Sequence, residues 1–88
     1  VNKVTEVQVH NIWNNSEITI DEKYDKLTIV TAKLPNGFTI TESAGCVDPA
    51  NYSLGIGLEI CKKKIIDKIW YLEGYYLQQK LYEQNKGL

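Results

Sequence analysis

The chain predicts an α+β fold, a three-stranded antiparallel meander packed against C-terminal helices, in a single domain over residues 1–88. Three observations carry that prediction. Apolar and polar residues alternate from Ile18 to Ser43, the period of half-buried strands. Asn36-Gly37 interrupts the alternation with a pair suited to a hairpin turn. Beyond Ser53, apolar residues recur every three or four positions, the period of a helix with one buried stripe.

Val1–Asn15 admits two readings, a short helix capped at Thr5 or a strand through Val7 and Val9. Ile12-Trp13 ahead of the polar Asn14-Asn15-Ser16 favours the helix, and His10 and Trp13 would then share a face. Ile18 and Ile20 mark the first strand. Tyr24-Asp25-Lys26 is a turn into Leu27–Leu34, whose Leu27, Ile29 and Thr31 face one way and Thr28, Val30 and Ala32 the other. β-Formers on both faces suit a central strand. Pro35 stands just before Asn36-Gly37, which predicts a two-residue type I′ turn with both residues at positive φ. Phe38, Ile40, Thr39, Thr41 and Ser43 supply the third strand.

The small residues of Ser43–Val47 form a tight connection, and Asp48-Pro49 opens a helical region with Ser53 as a second N-cap. The stripe then runs through Leu54, Leu58, Cys61, Ile65, Ile69, Leu72 and Tyr76, widened by Ile66, Trp70, Leu77 and Leu81. Gly55 and Gly57 predict either a frayed first turn or a close contact. Gly74 predicts a bend near Trp70–Gly74 between two shorter helices.

Charge and chemistry narrow the function. The net charge is −1, with four lysines against seven acids in residues 1–53 and six lysines against four acids in residues 54–88. No arginine is present, which argues against binding duplex nucleic acid through a cationic face. Lys62-Lys63-Lys64 is the one cationic cluster; it reads as a solvated helix face or as a patch for phosphates. The single His and the two separate cysteines, Cys46 and Cys61, predict no metal site, no cofactor and no catalytic cluster. No apolar run reaches membrane-spanning length, and the residues read as those of a cytoplasmic protein. A chain of this size buries only roughly 60 to 65 % of its unfolded surface. The apolar arc of the helical region exceeds what three strands cover, so a homo-oligomer, a dimer or higher, is expected.

Two strings are distinctive, Cys46-Val47-Asp48-Pro49-Ala50-Asn51-Tyr52 and Lys68-Ile69-Trp70 followed by Leu72-Glu73-Gly74-Tyr75. With Asn36-Gly37-Phe38, Glu42-Ser43 and Gly57, they resemble a family of small proteins of tailed phages and prophages over about residues 27 to 82. Tyr71 departs from the family pattern, where many members have Pro, and the lysines at 62 to 64 replace a mixture of Arg, Lys and Glu. This family is similar in turn to the first type of Thoeris anti-defence proteins. That resemblance implies a non-enzymatic homo-oligomer that sequesters a cyclic ADP-ribose isomer or a cyclic oligonucleotide in the infected host. The alternative is a phage inhibitor that binds a host defence nuclease or another host enzyme directly.

For a nucleotide ligand, the chemistry of the shared motif selects Phe38, Ser43, Asn51, Tyr52, Ser53, Lys62 and Lys63. Phe38 or Tyr52 would stack on a base. Asn51 offers a donor and an acceptor, and the helix start near Ser53 offers N–H groups to phosphate. Lys62 to Lys64 of a neighbouring subunit would supply positive charge. The competing reading makes Asp48, Asn51 and Ser53 helix caps and Phe38 a core residue.

Overall fold

A computed structural model describes residues 2–86. Helix α1, Glu6–Asn14, begins at Thr5, whose hydroxyl accepts the Gln8 N–H while the Gln8 side chain accepts the Thr5 N–H. This reciprocal pair satisfies two otherwise free donors and fixes the helical reading of the N-terminal segment. Val9 is the buried residue of α1, with Ile12 and Trp13 packed against the core.

Strands β1 (Glu17–Lys23), β2 (Leu27–Lys33) and β3 (Thr39–Gly45) form the expected antiparallel meander in the order β1-β2-β3. The register pairs Ile20 with Val30 and Ala32 with Ile40, so Ile18, Ile20 and Glu22, then Thr28, Val30 and Ala32, then Ile40, Glu42 and Ala44 share one face. Val30, Ala32 and Ile40 are buried beneath the helices. The opposite face carries Thr19, Thr31, Thr41, Ile29 and Ser43 and has no second layer among the described residues.

The hairpin turns reverse the expected assignment. Tyr24 and Asp25 carry the left-handed pair of dihedrals, φ 58° and 55°, and Lys26 N–H closes onto the Lys23 carbonyl at 3.2 Å. The β2–β3 loop also has three residues, Pro35, Asn36 and Gly37, but of these Gly37 alone lies at positive φ, +95°. Gly37 N–H donates to the Leu34 carbonyl at 2.8 Å, and Leu34 N–H to the Phe38 carbonyl at 2.7 Å. The cause is Pro35: its ring fixes a φ suited to the first central position of a turn, moving Asn36 to the second and leaving Gly37 the left-handed one. Asn36 Oδ1 accepts the Phe38 N–H at 3.0 Å and closes the loop.

Both predicted caps in the β3–α2 connection are used. Asp48 Oδ1 accepts Ala50 N–H at 2.9 Å and starts a short 3₁₀ turn, Pro49–Asn51. Ser53 then caps helix α2, Leu54–Lys86, accepting Ile56 N–H on its hydroxyl and Gly57 N–H on its carbonyl.

α2 is one continuous helix of 33 residues, where a bend near Trp70–Gly74 was expected. Tyr71 keeps its backbone donor, and Gly74 alone costs only about 1 kcal/mol. α1 packs against α2, and Thr5 and Gln8 line one cavity with Tyr76, Leu77 and Leu81 of its second half. Gly57, Cys61, Ile65 and Ile69 are the buried positions of α2, the last three on the predicted stripe. Leu54 and Tyr76, predicted on that stripe, are exposed. Gly57 marks the closest approach: a Cβ there would stand 2.9 Å from the Cβ of the buried Thr28. Farther along, Lys68 pairs with Glu42, and Lys64 Nζ donates to the Ser43 carbonyl at 2.8 Å, holding α2 across β3.

Candidate functional site

Of the side chains selected from the sequence, Ser53, Lys62 and Lys63 line one open groove of about 830 Å³. Its walls are the first three turns of α2 and His10 of α1, and its apolar surface comes from Ile56, Ile60 and Ile66. The helical period sets this arrangement, because Ile56, Glu59, Ile60, Lys63 and Ile66 recur on one flank of α2. At the groove's end the N–H groups of Leu54 and Gly55 precede the first bonded turn and face no acceptor within the described residues. Lys63 is exposed there with no ion-pair partner among the described residues, whereas Lys62 Nζ stands 5.7 Å from the centre of the Trp13 ring, a cation–π distance.

The other selected residues lie apart. Phe38 sits at the turn end of β3, beside Leu34, Ile69, Leu72 and Tyr76 in a second cavity of about 420 Å³. The seven residues of β3 separate it from the connection by about 20 Å. Phe38 and Asn51 of one chain therefore cannot clasp one small ligand. Half exposed, Phe38 does not fill the core either. Ser43 lies on the open face of the sheet, with its carbonyl already taken by Lys64 of the same chain. Asn51 is exposed in the 3₁₀ turn.

Tyr52 has a structural duty. Its hydroxyl donates to Glu22 Oε2 at 2.8 Å and stands 2.8 Å from Thr28 Oγ1. With the phenolic proton given to Glu22, the Thr28 hydroxyl is the donor of the second bond. The Thr28 hydrogen bond lowers the Tyr52 pKa, but desolvation and the Glu22 carboxylate together raise it above the ordinary 10.0. This chain of three side chains fastens the connection to the sheet and satisfies Thr28, which Gly57 covers.

The two cysteines differ. Cys61 is fully buried, and desolvation raises its thiol pKa, with Lys64 opposing and Glu42 adding to the rise. Cys46 is half buried and its Sγ donates to the Asp48 carbonyl at 3.2 Å. No group of three or more His, Cys, Asp or Glu side chains is placed to hold a metal among the described residues. No helix among them is long and apolar enough to cross a membrane.

His10 is the groove residue that sequence reasoning passed over. Its only signal was the three-residue spacing to Trp13, which places both on one flank of α1; that Trp13 meets Lys62 depends on how α1 docks against α2.

The fold and groove define a small α+β protein in which a meander and a short helix present one long helix. Residues 2–81 match the phage protein (N4 Gp49/phage Sf6 gene 66) family, and the chain belongs to that family. No curated protein and no solved structure matches it.

Proposed function

We propose that this phage-family protein binds and sequesters a small anionic nucleotide-type signal, a cyclic ADP-ribose isomer or a cyclic oligonucleotide, without degrading it. The observation that carries this reading is the meeting of Ser53, Lys62 and Lys63 with His10 in one groove at the start of α2. Lysines and free first-turn N–H groups suit phosphate, while the isoleucine surface suits a ribose or base face. The resemblance to the Thoeris anti-defence proteins supplies the ligand class. On this reading the working unit is a homo-oligomer, and the host cytoplasm is where it meets the signal.

The test mixes purified protein with the product of an activated TIR enzyme, removes the protein by filtration, and heats it. Depletion followed by release of intact nucleotide supports sequestration. Release of an altered product would make the protein an enzyme. Lys63→Ala should weaken binding about tenfold, the cost of one charge-assisted hydrogen bond, with unchanged melting temperature. Wild-type affinity in that variant, measured by calorimetric titration, would place the ligand elsewhere.

A second reading, direct binding to a host defence protein, draws on the exposed Tyr71, Tyr75 and Tyr82 along α2. Aromatic side chains are enriched in protein interfaces. An absence of nucleotide depletion in the same experiment moves the weight to this reading.

A further inference from the structure

Strand β1 is an edge strand: Glu17–Lys23 pairs with β2 along one side, and its other side is unpaired among the described residues. It keeps an unbroken register over seven residues and contains no proline, so it presents a straight row of backbone donors and acceptors. Such an edge is a template for another strand unless its charges forbid the pairing. Ile20, at the centre of β1, lies on the helix-covered face of the sheet, yet it is 47 % exposed. α2 lies over β2 and β3 and leaves it uncovered.

We propose that β1 pairs antiparallel with β1 of a second copy about a twofold axis at Ile20, joining two meanders into a six-stranded sheet. The charge pattern of the strand selects this occupant and this register. Ile20 meets Ile20 of the second copy, and Thr19 stands opposite Asp21, to whose carboxylate its hydroxyl can donate. Glu17 stands opposite Lys23, twice over by symmetry. Every acid then faces a cation, a hydroxyl or an apolar side chain. A two-residue shift one way sets Asp21 against Asp21, and the other way sets Glu17 against Asp21. A one-residue shift turns the two helical layers to opposite faces, loses both ion pairs and sets Ile20 against Asp21 or Thr19. Within one chain Glu17 already lies across from Lys33, so the pairing places its carboxylate between two lysines on the open face. Opposite charges and apolar pairs facing each other across strands stabilise such a ladder, and like charges weaken it. Nothing in this interface uses the groove, so it stands whether or not the ligand reading does.

Sedimentation equilibrium at low salt on the full chain, Lys23→Glu, and the double variant Glu17→Lys/Lys23→Glu tests the proposal. Wild type should dimerise reversibly, Lys23→Glu should weaken the dimer at least about tenfold, and the double swap should restore it to within about threefold. Thermal melting of each variant shows that the monomer fold persists. Hydrogen exchange should protect the β1 amides more strongly as protein concentration rises. A monomer at all concentrations overturns the proposal. So does a dimer unaffected by Lys23→Glu, a single-variant loss that the double swap does not restore, or concentration-dependent protection confined to Trp70–Tyr82.

Discussion

Gly57 and Tyr52 set how α2 meets the sheet, one through lack of a side chain and the other through its hydroxyl. Gly57→Ala forces the helix away from Thr28, and overpacking of this kind costs about 1 to 3 kcal/mol. A lower denaturation midpoint with unchanged slope is the expected result. Tyr52 gives a pH signature. Its pKa is raised in the fold, so the neutral phenol is the form the fold favours. The stability it contributes is fully present below the ordinary value of 10.0 and is lost as pH rises through the raised folded value. Tyr52→Phe should be less stable than wild type at neutral pH and should lose less on going to alkaline pH, as read by thermal melting. At this scale the sequence was a partial guide. Cys61 reads as core because it lies on the helical stripe, and Asp48 and Ser53 read as caps because their types are suited to that task. The latch from Tyr52 to Glu22 was not legible, because its partners are 24 and 30 positions away in the chain.

The strands and the helix were legible as elements because each obeys a period. Ile18 and Ile20 mark β1, Thr28, Val30 and Ala32 mark the buried face of β2, and Cys61, Ile65 and Ile69 mark that of α2. What escaped was the joints. Pro35 outweighed the preference of Asn36-Gly37 for a two-residue turn, and Tyr71 allowed α2 to run through a position that Gly74 alone does not break. Gly74 meets nothing within 4 Å of where a Cβ would stand, so no contact requires a glycine there. Gly74→Ala should raise stability by about 1 kcal/mol, the difference in helix propensity. A loss of stability in chemical denaturation would mean that the helix needs its freedom at this point. The candidate groove was half legible: the spacing of Lys62 and Lys63 placed them on one helix, but Phe38 belongs to the far end of the sheet.

At the level of the molecule, the sheet covers one part of α2, α1 covers another, and Tyr71, Tyr75, Tyr76 and Tyr82 remain largely in water. Part of the apolar arc read from the sequence is therefore exposed. The proposed oligomer has two distinct faces to draw on, this helical surface and the β1 edge. Only the edge has a charge order that singles out its own copy. Exchanging Lys23 leaves the helical surface intact, so the two are separable in solution.

The uninterrupted helix also decides how the protein moves through water. The molecule measures 60 × 19 × 19 Å, an axial ratio of roughly 3, and its radius of gyration is 16.4 Å. A compact chain of this length would have about 12 Å. A single copy should therefore elute from a sizing column somewhat ahead of a spherical standard of its 10.1 kDa mass, reading as a heavier particle on a calibration curve. Light scattering across the same peak, which reads mass without regard to shape, separates an elongated monomer from a true pair. A compact elution volume at monomer mass would mean that the free end of α2 folds back in solution.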